Sequence, residues 1–520
     1  MQGLEADAAA GASIASDYSV AQAYFLTAVQ LTAPMRVLFV MRNHGYLRNY
    51  ASTVRLLASR GHEVIVGSRG PERHMKVDTE GYLSDLSREY PGVTVRDLPK
   101  RSDRWKAFAG AVRAVRNALR YRHPELRRAS ALSERAEAHL AKQAPRIAAR
   151  GLPRTWAVAS IVSRIASLVE AAIPTDPRID EVVSSIAPDA IVVTPLVDFV
   201  SYQVDYVKTA KRLGIPVSMA VASWDNLTNK GTINVQPDQV IVWNDAQKHE
   251  AVHLHGVAPD RVRVTGAQLF DEWFDRTPGE SREAFCARVG LDAGRPFLLY
   301  LCSSLFIARD EVSFVRSWLE RLRTSAYPSL HQCGVLIRPH PGHAWPWADV
   351  DLSAFGNVAI WPRAGDMPLF EESKTHYFDS IFHSVAVVAI NTTGIIEAGI
   401  VGRTSFTLLA PEFAGTQGGT LHFEYLTTPG FLRTARTFDE HHAQLDAELR
   451  HPSTPETLAP FIKEFVRPCG LDLPATPRVV GVIEELARAR SAPAREGLSI
   501  RLLRPVLNRL VVNADTASRS

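Results

Sequence analysis

Two short stretches carry residues whose types and spacing suit the handling of a phosphorylated ligand. In Val335–Pro341 (VLIRPHP) an apolar run ends in Arg338, Pro339, His340 and Pro341. The prolines restrict the backbone and hold Arg338 and His340 at the C-terminal edge of a strand. Ligands of open α/β sheets bind at that edge. An arginine there offers phosphate oxygens a forked contact. The second stretch runs from Ile381 to Gly402. Its apolar Ala386–Ile390 leads into Asn391, Thr392, Thr393 and Gly394, and a helical pattern follows over 395–401. The polar residues offer caps, and Gly394 lets a ligand approach the backbone. The free N–H groups of a helix start attract phosphate. Glu397, on the first turn, suits a neutral partner such as a ribose diol. The plainer reading is an ordinary strand–helix turn with a capping glutamate.

Three further groups belong to the same chemistry. Ser303 and Ser304 follow the apolar run Phe297–Leu301, and their hydroxyls and the next N–H groups could hold a phosphate. Gln417, Gly418 and Gly419 form a polar loop whose glycine pair permits close backbone approach, or serves as a surface turn. The loop Ser223–Gly231 (SWDNLTNKG) places Asp225 after a strand. An aspartate within hydrogen-bond reach of a hydroxyl can act as its general base. The same residue could simply shape the loop as an Asx-turn. No metal site is expected. Arg338, His340 and His343 lack partnering carboxylates, and Asp349 and Asp351 form a DxD of the kind common by chance.

These residues need strands to position them. Arg36–Met41, a helix over 50–59 and a strand over 63–67 form a βαβ opening, which favours a parallel sheet. The turn between them, Arg42–Tyr46, contains His44 and is not a GxGxxG dinucleotide fingerprint. Strands are expected again over 189–194, 215–221, 239–243 and 261–265. A second series begins near Ser281, with strands at 297–301, 335–341, 386–390 and 404–408 and helices from 438 to 486. The pattern predicts an α/β protein of two doubly wound domains.

The 520 residues are enough for two or three domains, and 46% hydrophobic with 22% charged residues is a globular composition. The formal charge of +4 does not point to nucleic acid. No apolar run reaches the roughly 18 residues of a membrane span. Four scattered cysteines without a CxxC fit a reducing compartment. Charge is uneven, however. Residues 100–154 hold fifteen Lys or Arg against four acids, an excess of +11 that exceeds the whole chain's +4. Trp105, Phe108, Val112, Val115 and Leu119 recur there at helical spacing. Such an insertion either covers the first domain as a solvated helical pair or meets an anionic membrane surface. A second amphipathic stretch, 496–512, sets Leu503, Val506, Leu507 and Leu510 on one face with Arg501, Arg504 and Arg509 around it. Residues 1–34 read as a disordered or loosely docked extension, with Met35 an alternative natural start.

The RPHP strand end together with the TTGIIEAG turn resembles the donor half of GT-B glycosyltransferases. The resemblance is to the branch of CDP-glycerol glycerophosphotransferases and UDP-N-acetylglucosamine 2-epimerases, and it covers roughly 35–486. It implies two Rossmann-like domains facing a cleft. The acceptor side would be 35–270, with a helical insertion about 100–180, and the nucleotide-donor side 271–486, followed by a basic tail at 487–520. It implies a glycosyltransferase moving a sugar from a nucleotide-activated donor to a saccharide or lipid-linked hydroxyl acceptor, without metal or other cofactor. Such work belongs to surface polysaccharide or glycoconjugate synthesis, in the cytoplasm and at the inner face of the membrane. Donor contacts would come from Ser303, Ser304, Arg338, His340, Thr392, Thr393, Gly394, Glu397, Gln417, Gly418 and Gly419. Asp225 stands where the glycerophosphotransferases carry a base histidine, and His44, on a loop that faces the cleft in GT-B enzymes, is the other candidate. The alternatives are a CDP-glycerol-type polyol-phosphate transferase and a non-catalytic binding module. The segment HxEAGLR typical of the epimerases is absent.

Overall fold

The computed structural model describes residues 33–70, 78–489, 492–493 and 497–517. The extension expected over 1–34 lies almost wholly outside them. From Arg36 the chain builds two all-parallel sheets. The first contains β1 (Arg36–Met41), β2 (Glu63–Ser68), β3 (Val93–Asp97), β4 (Ala190–Thr194), β5 (Val217–Ala220), β6 (Gln239–Val242) and β7 (Val262–Val264), in the order β3-β2-β1-β4-β5-β6-β7. The second contains β8 (Phe297–Leu301), β9 (Gly334–Arg338), β10 (Val358–Ile360), β11 (Ala386–Ala389), β12 (Ser405–Leu408) and β13 (Leu432–Ala435), in the order β10-β9-β8-β11-β12-β13. Both follow the same doubly wound scheme. The strand order reverses between β1 and β4 in one sheet and between β8 and β11 in the other. A crevice opens at each reversal, because successive crossovers leave on opposite faces there.

The central strands form because their apolar runs are buried on both faces. In β1, β4, β8, β9 and β11 nearly every residue is buried. The edge strands β3, β10 and β13 are short and partly exposed, so they carry no such run and escape a reading based on apolar continuity.

Helix α1 (Ala51–Ser59) follows β1. The basic insertion folds into α2 (Lys106–Leu119), α3 (Ser130–Gln143) and α4 (Trp156–Ala172), with a short helix between the last two. Of the fifteen Lys and Arg over 100–154, ten are exposed, two are half-buried and three, Arg101, Arg113 and Arg120, turn inward. Arg113 is buried between Glu170 (2.9 Å) and Asp205 (2.7 Å), and Arg101 joins Asp205 at 2.9 Å. Buried charges demand such pairing. Arg120 donates to the carbonyl of Leu227 at 2.7 Å and to those of Lys230 and Gly231. The insertion thereby braces the loop that carries Asp225.

After β7 the chain crosses to the second sheet through Asp271. Its carboxylate accepts hydrogen bonds from the Thr476 N–H and hydroxyl, both 2.7 Å, and pairs with Arg467 at 3.0 Å. These bonds anchor α6 (Thr476–Arg488), whose Val479, Val480 and Ile483 return to the first domain's core beside Val37 and Leu57. In the second domain α5 (Gly394–Ile400) follows β11. The chain's last described helix, α7 (Leu498–Ala517), packs against α4. The tail's expected single apolar face is divided: Leu507 is buried and Leu503 partly so, whereas Val506 and Leu510 are exposed.

Candidate active site

A cleft opens at the C-terminal ends of both sheets. Its second-domain wall is built from the ends of β8, β9 and β11: Cys302, Arg338–Pro341 and Thr392–Gly394 with Glu397. The first domain contributes Arg48 and Asn49 from the loop after β1 and Ser223 from the loop after β5. Glu272 and Trp273 come from the crossing segment, and Asp366, Met367 and Tyr377 complete the lining.

Arg338 is the most telling side chain. It is only 3% exposed, yet its guanidinium has a single hydrogen bond, from Nη1 to Ser380 Oγ at 3.2 Å. Nη2 is buried without a hydrogen-bond partner among the described residues, and Asp366 stays 3.9 Å away. The rings of Trp361 and Tyr377 lie 5.4 and 5.1 Å from the guanidinium carbon. Burial lowers its pKa to about 10, partly opposed by Tyr377 and Asp366. A desolvated cation with an unused donor on the wall of a cleft is suited to an anion from outside.

His340 sits beside it and carries no charge at neutral pH. Burial lowers its pKa to about 4, and Arg48 and His343 push the same way. Its Nδ1 accepts the Gly342 N–H at 3.1 Å, so the proton resides on Nε2 and the ring offers one donor. Gly394 is required by space. A Cβ there would meet Leu301 Cδ1 at 2.6 Å and Tyr377 Oη at 2.8 Å. Thr393 takes the N-cap position of α5 with helical backbone angles and no side-chain cap. Glu397 accepts a 2.6 Å hydrogen bond from the Tyr377 hydroxyl at Oε2. Burial raises its carboxyl above the usual range, against the opposing effects of Tyr377 and Arg48.

Asp225 lies two residues beyond Ser223, outside the residues that line the cleft around Arg338. It is half-buried and accepts from Asn229 Nδ2 at 2.6 Å. Burial works to raise its carboxyl, but His422, hydrogen bonds from Ser223 and Asn229, and Lys230 outweigh it and hold the group below its ordinary value. His422 belongs to the second domain. It meets Thr228 Oγ1 at 3.1 Å and packs edge-on to Trp224 at 4.9 Å. Nearby Glu250 is fully buried, accepts from the Tyr425 hydroxyl at 2.7 Å, and is raised by burial to about 8. The two carboxyls are therefore pushed apart, one ionised and one protonated at neutral pH.

Other expected residues turn away from the cleft lining. His44 is buried on the loop after β1, and neither ring nitrogen has a partner among the described residues. Its charged neighbours are Asp97 and Glu80, on the side of β3, and burial holds its pKa below normal despite them. The loop does reach the cleft, but through Arg48, which donates to Met367 Sδ of the second domain. Ser303 gives its N–H to Glu311, at 2.8 and 3.1 Å, so that amide is not free for phosphate, and neither Ser303 nor Ser304 lines the cleft. Gln417 is buried, and its amide donates to Ile390 O, Thr407 Oγ1 and Leu408 O at 3.1–3.2 Å. It is a strut beneath the β11–β12 edge. Gly418 and Gly419 likewise fall outside the lining; a Cβ on Gly419 would strike Gly415 O at 2.6 Å, a close turn of the loop on itself. Asp351 accepts the Ser353 N–H at 2.9 Å, a local turn. Among the described residues no cluster of three His, Cys, Asp or Glu side chains is set to hold a metal ion.

No protein-family model and no curated protein sequence matches the chain. Solved structures do. A UDP-GlcNAc 2-epimerase from Neisseria meningitidis, bound to UDP-GlcNAc, is 12% identical with a TM-score of 0.50 over 87% of this chain and 100% of that one. A glycosyltransferase from Rickettsia africae is 10% identical with a TM-score of 0.50 over 88% of this chain and 100% of that one. The fold is the GT-B arrangement of two Rossmann-like domains.

Proposed function

We propose that the protein is a glycosyltransferase that moves a sugar from a nucleotide-activated donor to a hydroxyl acceptor, in surface polysaccharide or glycoconjugate synthesis. The observation that carries this reading is Arg338, a buried and under-bonded cation on the cleft wall. The donor's diphosphate accepts hydrogen bonds from Arg338 Nη2, the His340 Nε2–H and the backbone at Thr393–Gly394. Arg48 adds positive charge from the opposite domain. Glu397 Oε1, which has no partner among the described residues, accepts from the ribose hydroxyls.

Asp225 is the acceptor's base in this scheme. As the acceptor oxygen bonds to the anomeric carbon, its proton passes to Asp225. The bond from that carbon to the phosphate oxygen breaks, and the electron pair leaves with the nucleotide. Charge builds on the departing diphosphate, where donors already fixed in place are most effective. A structure of the same fold holds UDP-GlcNAc, which supports a nucleotide-linked sugar as the donor class.

The test is a thermal-shift screen with UDP, CDP, GDP, dTDP, CMP and their common conjugates, wild type beside Arg338→Ala. A ligand at about 100 times its Kd adds about 2.7 kcal/mol of stability. The expected result is a shift with one nucleoside diphosphate that Arg338→Ala abolishes. A shift with CMP or CDP-glycerol alone would favour polyol-phosphate transfer, and silence across the panel would remove the donor-site reading.

A further inference from the structure

Of the fifteen large hydrophobic side chains exposed among the described residues, nine lie on α4 and α7. On α4, Val158, Ile161, Ile165 and Leu168 are 50–56% exposed and recur every three or four residues, so they form one stripe. On α7, Leu498, Leu502, Val506 and Leu510 repeat every four residues and are 54–73% exposed. The two helices pack on each other. The opposite side of α7, through Leu507 and Val511, is buried against Trp105, Ala109, Ala172 and Ile173, and Arg504 donates to the Ala172 carbonyl at 3.0 Å. The outward stripes are therefore what remains after the helices have docked. A water-soluble surface seldom leaves so many aliphatic side chains together in solvent.

Charge separates the occupants. Arg164, Arg501 and Arg509 are exposed on these helices. The single acid of α4, Glu170, is buried against Arg113 and Lys208, and residues 498–512 contain none. The stripes are Val, Ile and Leu, without the tyrosine, tryptophan or methionine that enrich protein interfaces. Among the described residues no single helix is long and apolar enough to cross a membrane. The pair Trp156–Ala172 and Pro177–Ile186 passes on composition only as a unit bent by 68°, and the second helix buries Ile179, Val183 and Ile186 in the first domain's core. We infer that α4 and α7 together form a docking surface for an anionic phospholipid bilayer, with both helices lying in the headgroup boundary and their arginines against lipid phosphates. The surface thus lies on 156–172 and 498–512, where aliphatic stripes and arginines are exposed together; the basic stretch 100–154 exposes charge but, of the large hydrophobic side chains, only Ile147. This inference is independent of the chemistry assigned to the cleft.

The test is flotation of the full chain with vesicles of phosphatidylcholine alone and of phosphatidylcholine mixed with phosphatidylglycerol. Wild type should float with the anionic vesicles only, less so in high salt. The double variants Ile161→Glu/Ile165→Glu and Leu502→Glu/Leu510→Glu should each lose on the order of tenfold in partitioning. Their melting midpoints should match wild type, because the altered side chains face solvent. Wild type left at the bottom with both vesicle types would overturn the inference, as would variants that float equally well. A vesicle-free dimer dissociated by either double variant would also overturn it, since a second copy would then cover the surface.

Discussion

The Tyr377 hydroxyl donates a 2.6 Å hydrogen bond to Glu397 Oε2, while the ring of the same tyrosine lies 5.1 Å from the Arg338 guanidinium carbon. One side chain thus orients the group assigned to the ribose and walls in the group assigned to the diphosphate. Tyr377→Phe should keep the wall and lose the orientation. Isothermal titration with the nucleotide found in the thermal-shift screen should show donor affinity down about five- to tenfold, one neutral hydrogen bond's worth. Unchanged affinity would mean that Glu397 does not hold the ribose.

Arg338 is poorly compensated in the empty cleft, so it should trade stability for function. A buried cation with one hydrogen bond is less favourable than an apolar side chain of similar length. Arg338→Met is expected to raise the ligand-free stability by on the order of 1 kcal/mol in urea titration while removing nucleotide binding. A large loss of stability would show that Arg338 is instead a structural residue.

Asp225→Asn should lower turnover by about a hundredfold or more with donor affinity nearly unchanged, as expected when a general base is removed. Because His422 and its other partners hold the Asp225 carboxyl below its ordinary value, the base stays ionised throughout the neutral range. The acid limb of the rate profile should accordingly fall below the usual carboxylate range. His422→Ala should move that limb to higher pH. A limb that does not move would separate His422 from the base.

Buried acids set an alkaline limit on stability. Glu311, which accepts from the Ser303 N–H and the Tyr300 hydroxyl, is raised by burial to about 8, and Glu250 also to about 8. In the unfolded chain both ionise near 4.5. A raised folded-state value means that the contribution is complete below the unfolded value and lost as pH climbs through the folded one. Stability should fall between about pH 5 and 8 for this reason. Glu311→Gln should flatten part of that fall, on the order of 2 kcal/mol at the upper end. Identical pH profiles for variant and wild type would refute the assignment.

Arg113 closes a buried network with Glu170 and Asp205 that ties α2 and α4 to the first sheet's helices. Removing one member of a buried charge cluster strands the others. Arg113→Leu should cost about 3–5 kcal/mol, read as a drop in the urea midpoint. A change under about 1 kcal/mol would show that the carboxylates reach water once the arginine is gone.

Much of this architecture is written locally in the chain. β1, β4, β8, β9 and β11 are apolar on both faces, and such runs have few alternatives to a covered parallel strand. Arg338, His340, Thr392–Gly394 and Glu397 stand at the ends of such strands, so their nearness to a cleft was readable once the strands were. What sequence leaves open is where a side chain points and what meets it from far along the chain. Gln417 and Ser303 have the composition of ligand contacts, yet buried carbonyls and Glu311 claim them, because unsatisfied polar groups are costly inside a protein. Arg48 reaches the cleft while His44 on the same loop does not, a choice made by the path of six residues of 3-10 helix. Most of the insertion's basic side chains do lie on the surface, but periodicity did not show that Arg101, Arg113 and Arg120 are drawn inward by acids and carbonyls about a hundred residues away. Periodicity reports burial on one element. Only the folded chain, by bringing distant partners within hydrogen-bond distance, decides which polar groups hold the structure and which are left for a ligand.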